Sequence, residues 1–90
     1  MRQVEYSGQF RRDVKRVKKR GKDINRLKTL LRLLTYSDPL PFSYQDHPLK
    51  ANWRGCRDAH LEPDWLLIYY IDGGLVRFER TGTHADLFEG

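Results

Sequence analysis

The spacing of apolar residues differs between the two halves of the chain. In the first half they recur every three to four positions, as at Phe10, Val14 and Val17, whereas the second half contains continuous or alternating apolar runs. The first spacing is typical of amphipathic helices, and short apolar runs bounded by glycine are typical of strands. The pattern therefore predicts a helical first half followed by a sheet.

Capping residues and helix breakers set the predicted helix boundaries. A short strand over residues 2–6 precedes Ser7, which can cap the first helix, and Gly21 supplies a stop signal. Asp23 can cap the second helix, which should end near Thr35 because two prolines follow. The apolar stripe of this second helix consists of Ile24, Leu27, Leu30, Leu31 and Leu34. Residues 37–52 are expected to be mostly loop.

Three strands are predicted in the second half, over residues 53–60, 65–71 and 75–80. The sequence Asp72-Gly73-Gly74 predicts a hairpin between the last two, because glycine tolerates positive φ. A short C-terminal tail or helical turn should follow His84. The predicted fold is α+β, a single domain over residues 1–90, in the order β-α-α-β-β-β. Its two N-terminal helices pack on one face of a mainly antiparallel sheet.

Counting residues back from the hairpin turn brings four polar side chains to one end of the sheet. Asp64 should lie opposite a residue between Thr81 and Thr83, close to Arg80 and His84. His60 should end the preceding strand, separated from Asp64 by only three residues. We therefore predict a site formed by His60, Asp64, Arg80 and His84.

Two imidazoles, a carboxylate and an arginine are suited to the cleavage of a phosphodiester bond. The ordinary pKa of imidazole, about 6.5, lets one histidine accept a proton while another donates one near neutral pH. An arginine would stabilise charge on the phosphate. Trp65 and Phe88 flank the site and could stack on a base. Two alternatives are a metal site, for which the spacing fits no compact motif, and a structural pair between His60 and Asp64.

The positive charge of the chain is concentrated in one block. The net charge is +5, yet eleven basic and only two acidic residues lie between Arg11 and Arg32. Such a block favours binding to a polyanion or an acidic protein, although a solvated helix face would have the same composition. The single cysteine, Cys56, excludes an internal disulfide, and no apolar run reaches the length of a membrane helix. We expect a soluble, cytoplasmic protein.

Three motifs in the second half are more specific than the composition. They are D-H-P-L from Asp46, R-D-A-H-L-E-P-D-W from Arg57 and R-T-G-T-H from Arg80. In this order, and after a basic helical half, they resemble the YafQ branch of the RelE/ParE superfamily of bacterial toxins. The resemblance covers essentially the whole chain and implies a RelE-like fold. It also implies a toxin of a type II toxin-antitoxin system.

The activity implied by the resemblance is ribosome-dependent cleavage of mRNA in the ribosomal A site, without a metal or other cofactor. The 2′-hydroxyl attacks the adjacent phosphate, and translation is inhibited. The resemblance makes the matching positions His47, His60, Asp64 and His84 catalytic and places Phe88 nearby, with Arg80 matching an arginine of the wider superfamily. We expect His84 to be the general acid and Asp64 with His60 the base or its orienting partner, and an exchange of acid and base fits the sequence equally well. Arg80 would hold the phosphate, and His47 would position substrate or assist proton transfer.

The implied partners are the ribosome with its mRNA and a cognate antitoxin that carries a ribbon-helix-helix DNA-binding region; no membrane is involved. Basic side chains from the two helices are expected to contact ribosomal RNA, namely Arg11, Arg12, Lys15, Lys18, Lys19, Arg20 and Lys22. Two other functions remain open from the residues alone. One is a non-enzymatic toxin that inhibits DNA gyrase, as in the ParE branch, and the other is a plain RNA-binding module.

Overall fold

The structure, a computed structural model, describes residues 1–88 and contains three α-helices and a five-stranded sheet in that part of the chain. Two short 3-10 turns lie at Phe42–Tyr44 and Ala51–Trp53. In chain order the helices and strands are β1 (Gln3–Tyr6), α1 (Gly8–Lys19), α2 (Ile24–Thr35), β2 (His47–Pro48), β3 (Arg57–Glu62), β4 (Trp65–Asp72), β5 (Leu75–Gly82) and α3 (His84–Phe88). None of the described helices has the length and apolar character needed to cross a membrane.

The two long helices begin at the predicted capping residues. The Ser7 hydroxyl accepts a hydrogen bond from the backbone N–H of Phe10 at 2.9 Å. The Asp23 carboxylate likewise accepts one from the N–H of Asn25 at 2.9 Å. Each cap satisfies a donor that the first helical turn leaves without an intrahelical partner. Both predicted helix starts are therefore confirmed.

The sheet has the order β1-β5-β4-β3-β2 and is mainly antiparallel, as predicted. β1 is the exception, since it runs parallel to β5. Asp72 pairs with Leu75, so Gly73 and Gly74 form the predicted two-residue turn. Gly73 has a φ of 55°, a conformation that glycine adopts without steric cost.

The two faces of the sheet are covered differently. One face packs against α1 and α2, and its core includes Phe10, Val17, Leu27, Leu30, Leu34, Leu67, Tyr69, Val76 and Phe78. The opposite face carries a smaller cluster, Cys56, Leu66, Ile68 and Leu87, covered by α3 and the segment before β3. Beside this cluster the face carries exposed polar side chains, among them His47 and His84 at 52% and 51%. We call it the open face, since these side chains are accessible to a ligand.

The predicted strand over residues 53–60 is wrong at its beginning. Trp53 ends a 3-10 turn, and the strand starts only at Arg57. Gly55 between them has a φ of 93°, which interrupts extended backbone. The strand then continues to Glu62 past an irregularity after His60, so His60 lies within the strand. The predicted loop also contains β2, which pairs with β3.

Candidate active site

Three histidines and one phenylalanine form a row across the open face of the sheet. The ring centroids of His47 and His60 are 6.0 Å apart, and those of His60 and His84 are 5.9 Å apart. The Phe88 ring follows His84 at 6.2 Å. Three elements contribute these side chains: β2, β3 and α3. The structure thus brings all three predicted histidines together, and we call them the histidine row.

His47 joins the row because β2 folds back along β3. In this antiparallel pair His47 lies opposite Asp58, two residues from His60 on the same strand face. The preceding residue holds the segment in place, since the Asp46 carboxylate accepts hydrogen bonds from Arg57 at 2.7 and 3.0 Å. It accepts another from the Tyr69 hydroxyl at 3.2 Å. Burial, followed by the nearby Asp46 charge, raises the pKa of Tyr69 to about 12, so this hydroxyl remains a donor.

Asp64 orients His84 through two hydrogen bonds. Its Oδ1 atom accepts one from the His84 backbone N–H at 2.8 Å and lies 2.6 Å from the ring Nδ1. A carboxylate at Nδ1 fixes the proton on that nitrogen and leaves Nε2 facing away for chemistry. The two hydrogen bonds, the backbone one first, lower the pKa of Asp64 below its ordinary value.

The residue count from the hairpin is wrong by one position. A β-bulge between Ile68 and Tyr69 shifts the register of β4 on β5, so Leu66 lies opposite Gly82. Continued from that pair, position 64 falls opposite His84 rather than opposite residues 81–83. Asp64 itself precedes β4, in the turn after β3. A bulge adds one residue to one strand, and the sequence offers no glycine or proline there to reveal it.

Asp58 is a member of the site that the sequence analysis missed. It is 3% exposed, and its Oδ1 lies 3.0 Å from Nδ1 of His47, which is itself hydrogen bonded to the Gln45 carbonyl at 3.0 Å. Burial raises the pKa of Asp58, while the charges of the three histidines oppose that rise. Within residues 1–88 its Oδ1 has no hydrogen-bond donor. The alternation of strand residues could have revealed it, because Asp58 and His60 must share a face.

Arg80 lies beside the row, but its guanidinium is paired. Nε and Nη2 donate to the Asp13 carboxylate at 2.7 and 3.2 Å, and Asp13 is fully buried. Asp13 also accepts from the Thr81 backbone N–H at 3.1 Å. Arg80 and Phe88 both line a cleft of about 550 Å³. The Arg80 Nη1 group makes no hydrogen bond to Asp13 and keeps its capacity to donate.

Trp65 does not belong to the open face. It is 1% exposed and lies in the core under the two helices, where its indole N–H donates to the Thr81 hydroxyl at 3.0 Å. The prediction that Trp65 stacks on a base is therefore wrong, since neither face of its ring is accessible. Phe88, the other predicted stacking residue, is 44% exposed at the end of the row.

The basic block divides into free and paired side chains. Two of the predicted RNA contacts are engaged within the protein: Arg20 pairs with Asp86 at 2.6 Å and Lys22 with Glu62 at 2.7 Å. Both side chains stay partly exposed, at 42% and 32%, so their contact with ribosomal RNA stays a prediction. Five others are exposed and, within the described residues, lie more than 4 Å from any carboxylate: Arg11, Arg12, Lys15, Lys18 and Lys19.

The arrangement supplies two imidazoles whose Nδ1 atoms face acceptors, a third imidazole between them, and an exposed aromatic ring. Such a set can accept a proton at one point and donate one about 6 Å away. Among residues 1–88, no three His, Cys, Asp or Glu side chains are arranged to hold a metal ion. The geometry supports acid-base chemistry on a ligand that lies across the open face.

A basic helical pair on a mainly antiparallel sheet, with histidines on the sheet's open face, agrees with the RelE-like fold that the resemblance implied, and comparison with known proteins shows a class of bacterial toxins. Residues 2–89 match the model of a family described as bacterial toxins of type II toxin-antitoxin systems, YafQ. The chain belongs to this family.

Individual relatives cover nearly the full length of the chain. The mRNA interferase toxin YafQ of Escherichia coli BL21(DE3) is 60% identical over 97% of this chain and 96% of its own. The crystal structure of YafQ from that strain has a TM-score of 0.94 at 58% identity, covering 98% of this chain and 99% of the relative. YafQ in the E. coli DinJ-YafQ complex has a TM-score of 0.90 at 60% identity, with the same coverage.

Proposed function

We propose that this protein is an endoribonuclease that cleaves mRNA in the ribosomal A site and thereby inhibits translation. The observation that carries the proposal is the histidine row, in which three imidazoles lie at 6 Å intervals on an open face beside an exposed aromatic ring. Membership of a toxin family whose relative is named an mRNA interferase supports the same reaction. A purely binding toxin, such as a gyrase inhibitor, would not need this arrangement.

The reaction needs a base, an acid and a stabilising cation. The base takes the proton of a 2′-hydroxyl, whose oxygen attacks the adjacent phosphorus, and the acid gives a proton to the departing 5′-oxygen. We assign the acid to His84, whose Nε2 is free while Nδ1 faces Asp64. We assign the base to His60, which lies between the other two rings. A carboxylate with a lowered pKa is a weak base at neutral pH, so Asp64 acts as the orienting partner of His84.

The remaining residues of the site hold the substrate. The Gln45 carbonyl holds Nδ1 of His47 by a hydrogen bond, and the Asp58 carboxylate 3.0 Å away attracts that ring electrostatically when it is protonated, which keeps it in line with His60. Phe88 stacks on a base next to the scissile bond, and Arg80 offers its free Nη1 to the phosphate. Both line the cleft of about 550 Å³, which also contains Lys50, Asn52, Trp53 and Asp86, the last paired with Arg20. A cleft with cationic, amide and aromatic groups suits a single-stranded nucleotide.

The free basic side chains of α1 bind ribosomal RNA. They are Arg11, Arg12, Lys15, Lys18 and Lys19, all exposed on one helix. Each phosphate contact adds about one unit to the slope of log K against log salt. Replacing Lys15, Lys18 or Lys19 by alanine should therefore weaken ribosome binding at low salt and reduce this slope. An unchanged slope in all three variants would mean that the helix face is only solvated.

The same surface also suits an acidic segment of an antitoxin. A relative was crystallised with the antitoxin DinJ, which supports a cognate antitoxin for this chain. We propose that this antitoxin carries a ribbon-helix-helix DNA-binding region and that the pair acts in the cytoplasm. Because a cationic face attracts both RNA phosphates and carboxylates, antitoxin binding would compete with ribosome binding.

Cleavage of mRNA on programmed ribosomes tests the proposal. With toxin in excess, we expect a burst of defined 3′ ends that terminate in a 2′,3′-cyclic phosphate or its hydrolysis product. A single 2′-deoxy nucleotide at the cleavage position should abolish that cut, since the nucleophile is missing. Equal cleavage of the same mRNA without ribosomes would contradict ribosome dependence, and cleavage of the deoxy substrate would contradict the mechanism. Gyrase supercoiling serves as the control for the binding-toxin alternative.

A further inference from the structure

The helix that carries His84 and Phe88 is too short to be stable by itself. α3 has five residues, and isolated helices of this length do not persist in water. Its first turn is closed by a reciprocal cap, in which the Thr83 hydroxyl accepts from the Asp86 N–H at 3.1 Å and the Asp86 carboxylate accepts from the Thr83 N–H at 2.9 Å. Asp86 therefore fixes the point at which the helix starts, directly before His84.

Asp86 is held in turn by Arg20, the residue that caps the C-terminal end of α1. Arg20 donates to both oxygens of its carboxylate, Nη1 to Oδ2 at 2.6 Å and Nη2 to Oδ1 at 3.2 Å, which is a two-point contact of good geometry. Arg16 lies 3.8 Å from Oδ2. The Asp86 side chain is only 13% exposed.

The end of β5 is shaped to admit this carboxylate. A Cβ atom on Gly82 would lie 2.8 Å from Oδ2 of Asp86 and 3.0 Å from its Cβ. Both distances are shorter than ordinary van der Waals contact, so any other residue would push Asp86 away. The glycine of the R-T-G-T-H motif is thus explained by the approach of Asp86, which belongs to the same turn as His84.

A second carboxylate, that of Asp13 on α1, holds β5, the strand that leads to this turn. Asp13, fully buried, accepts from Arg16 at 2.9 Å, from Arg80 at 2.7 Å and from the Thr81 backbone N–H at 3.1 Å. Arg16 lies between the two carboxylates and approaches both. The basic residues of α1 and its C-cap therefore fall into two groups: some are exposed to solvent, while Arg16 and Arg20 form ion pairs within the protein.

We propose that Arg20 and Asp86 are positioning residues for catalysis: their contact holds α3 so that the rings of His84 and Phe88 stay in line with His60. The inference rests on the proposed catalytic role of His84. Neither residue touches the histidine rings in the structure, and both act through the first turn of α3. Arg20 thus serves the reaction rather than the binding of RNA, although it belongs to the basic block.

A comparison of two basic residues tests this role. Arg20→Ala and Lys28→Ala each remove one exposed positive charge, but only Arg20 contacts Asp86, whereas Lys28 on α2 belongs to neither the proposed site nor the proposed RNA contacts. At saturating toxin we expect Arg20→Ala to slow single-turnover cleavage on the order of 10- to 100-fold, the cost of a misplaced catalytic group. Lys28→Ala should cleave at the wild-type rate under the same conditions. Loss of affinity alone in Arg20→Ala would overturn the proposal.

A double-mutant cycle adds a second readout. If Arg20→Ala and Asp86→Asn break the same contact, the double variant should cleave no more slowly than the slower single variant. Additive losses would overturn the proposal. Arg20→Lys, which retains a charge but not the two-point contact, should recover part of the rate, and it replaces Arg20→Ala if that variant is unfolded at the assay temperature. A wild-type cleavage rate in folded His84→Ala would instead refute the catalytic assignment on which this inference rests.

Discussion

Replacing Asp64 by asparagine separates the charge of this side chain from its shape. The asparagine amide oxygen can still accept a hydrogen bond from the His84 backbone N–H, which Asp64 does at 2.8 Å, but the negative charge beside Nδ1 disappears. The side chains of His84 and Asp64 are 51% and 65% exposed, so solvent screens their attraction. Exposed ion pairs are worth so little that the charge should contribute no more than about a fivefold rate effect.

Comparing the cleavage rates of Asp64→Asn and His84→Ala separates an orienting residue from a proton donor. Loss of a general acid costs about 10²- to 10⁴-fold, so Asp64→Asn should retain most of the activity that His84→Ala loses. The assay is single-turnover mRNA cleavage on programmed ribosomes with toxin in excess, at pH 7 and constant salt. If Asp64→Asn were as slow as His84→Ala, Asp64 would itself transfer the proton, and the orienting role derived from its exposure and lowered pKa would be refuted.

The positions of individual side chains lead to three further predictions. Trp65→Phe should lower the free energy of unfolding by about 1 to 3 kcal/mol, because it loses packing and the buried hydrogen bond to Thr81. Phe88→Ala should leave the free energy of unfolding within about 0.5 kcal/mol and weaken RNA binding by about 1 to 3 kcal/mol. Denaturant titrations and cleavage assays would check both, and reversed effects would contradict the structure. Contact with Arg20 lowers the pKa of Asp86 below its ordinary 3.8, so the ionised carboxylate stabilises the folded state fully above that pH and progressively less on further acidification. The difference in free energy of unfolding between wild type and Asp86→Asn should therefore shrink below pH 4. A difference independent of pH would argue against the pair. Burial raises the pKa of Asp58, so its ionised form is less favourable in the folded state than in the unfolded state. Asp58→Asn should therefore raise the free energy of unfolding at pH 7 while it slows cleavage. Thermal melts and rate measurements would reveal or exclude this combination.

The secondary structure was largely predictable because it depends on local patterns. Ser7 and Asp23 cap the helices as predicted, since a capping side chain bonds to a backbone group two or three residues away. The Gly73-Gly74 turn fixes the β4–β5 hairpin for the same local reason. Two errors occur where pairing between strands decides the outcome, at β2 and at the bulge after Ile68, and a third at Gly55, whose positive φ delays the start of β3.

The candidate site was predictable only in part. His60 and His84 could be placed by counting along strands, but His47 needed either the family resemblance or the structure, because its segment pairs only with β3. Trp65 was misplaced because it follows Asp64 directly in the sequence, whereas alternation along β4 puts it with Leu67 and Tyr69 on the face that the helices cover.

The sequence by itself determined which segments are helices and strands, which apolar positions face the core, and that acid-base groups collect at one end of the sheet. Tertiary structure alone decided which charged residues are free to act. Asp13 and Arg80 are 67 positions apart and pair only because α1 packs beside the end of β5. Arg20 resembles Lys19 in sequence, yet only Arg20 meets a carboxylate. The energy of a charge depends on its partners and its burial, and packing between distant segments sets both.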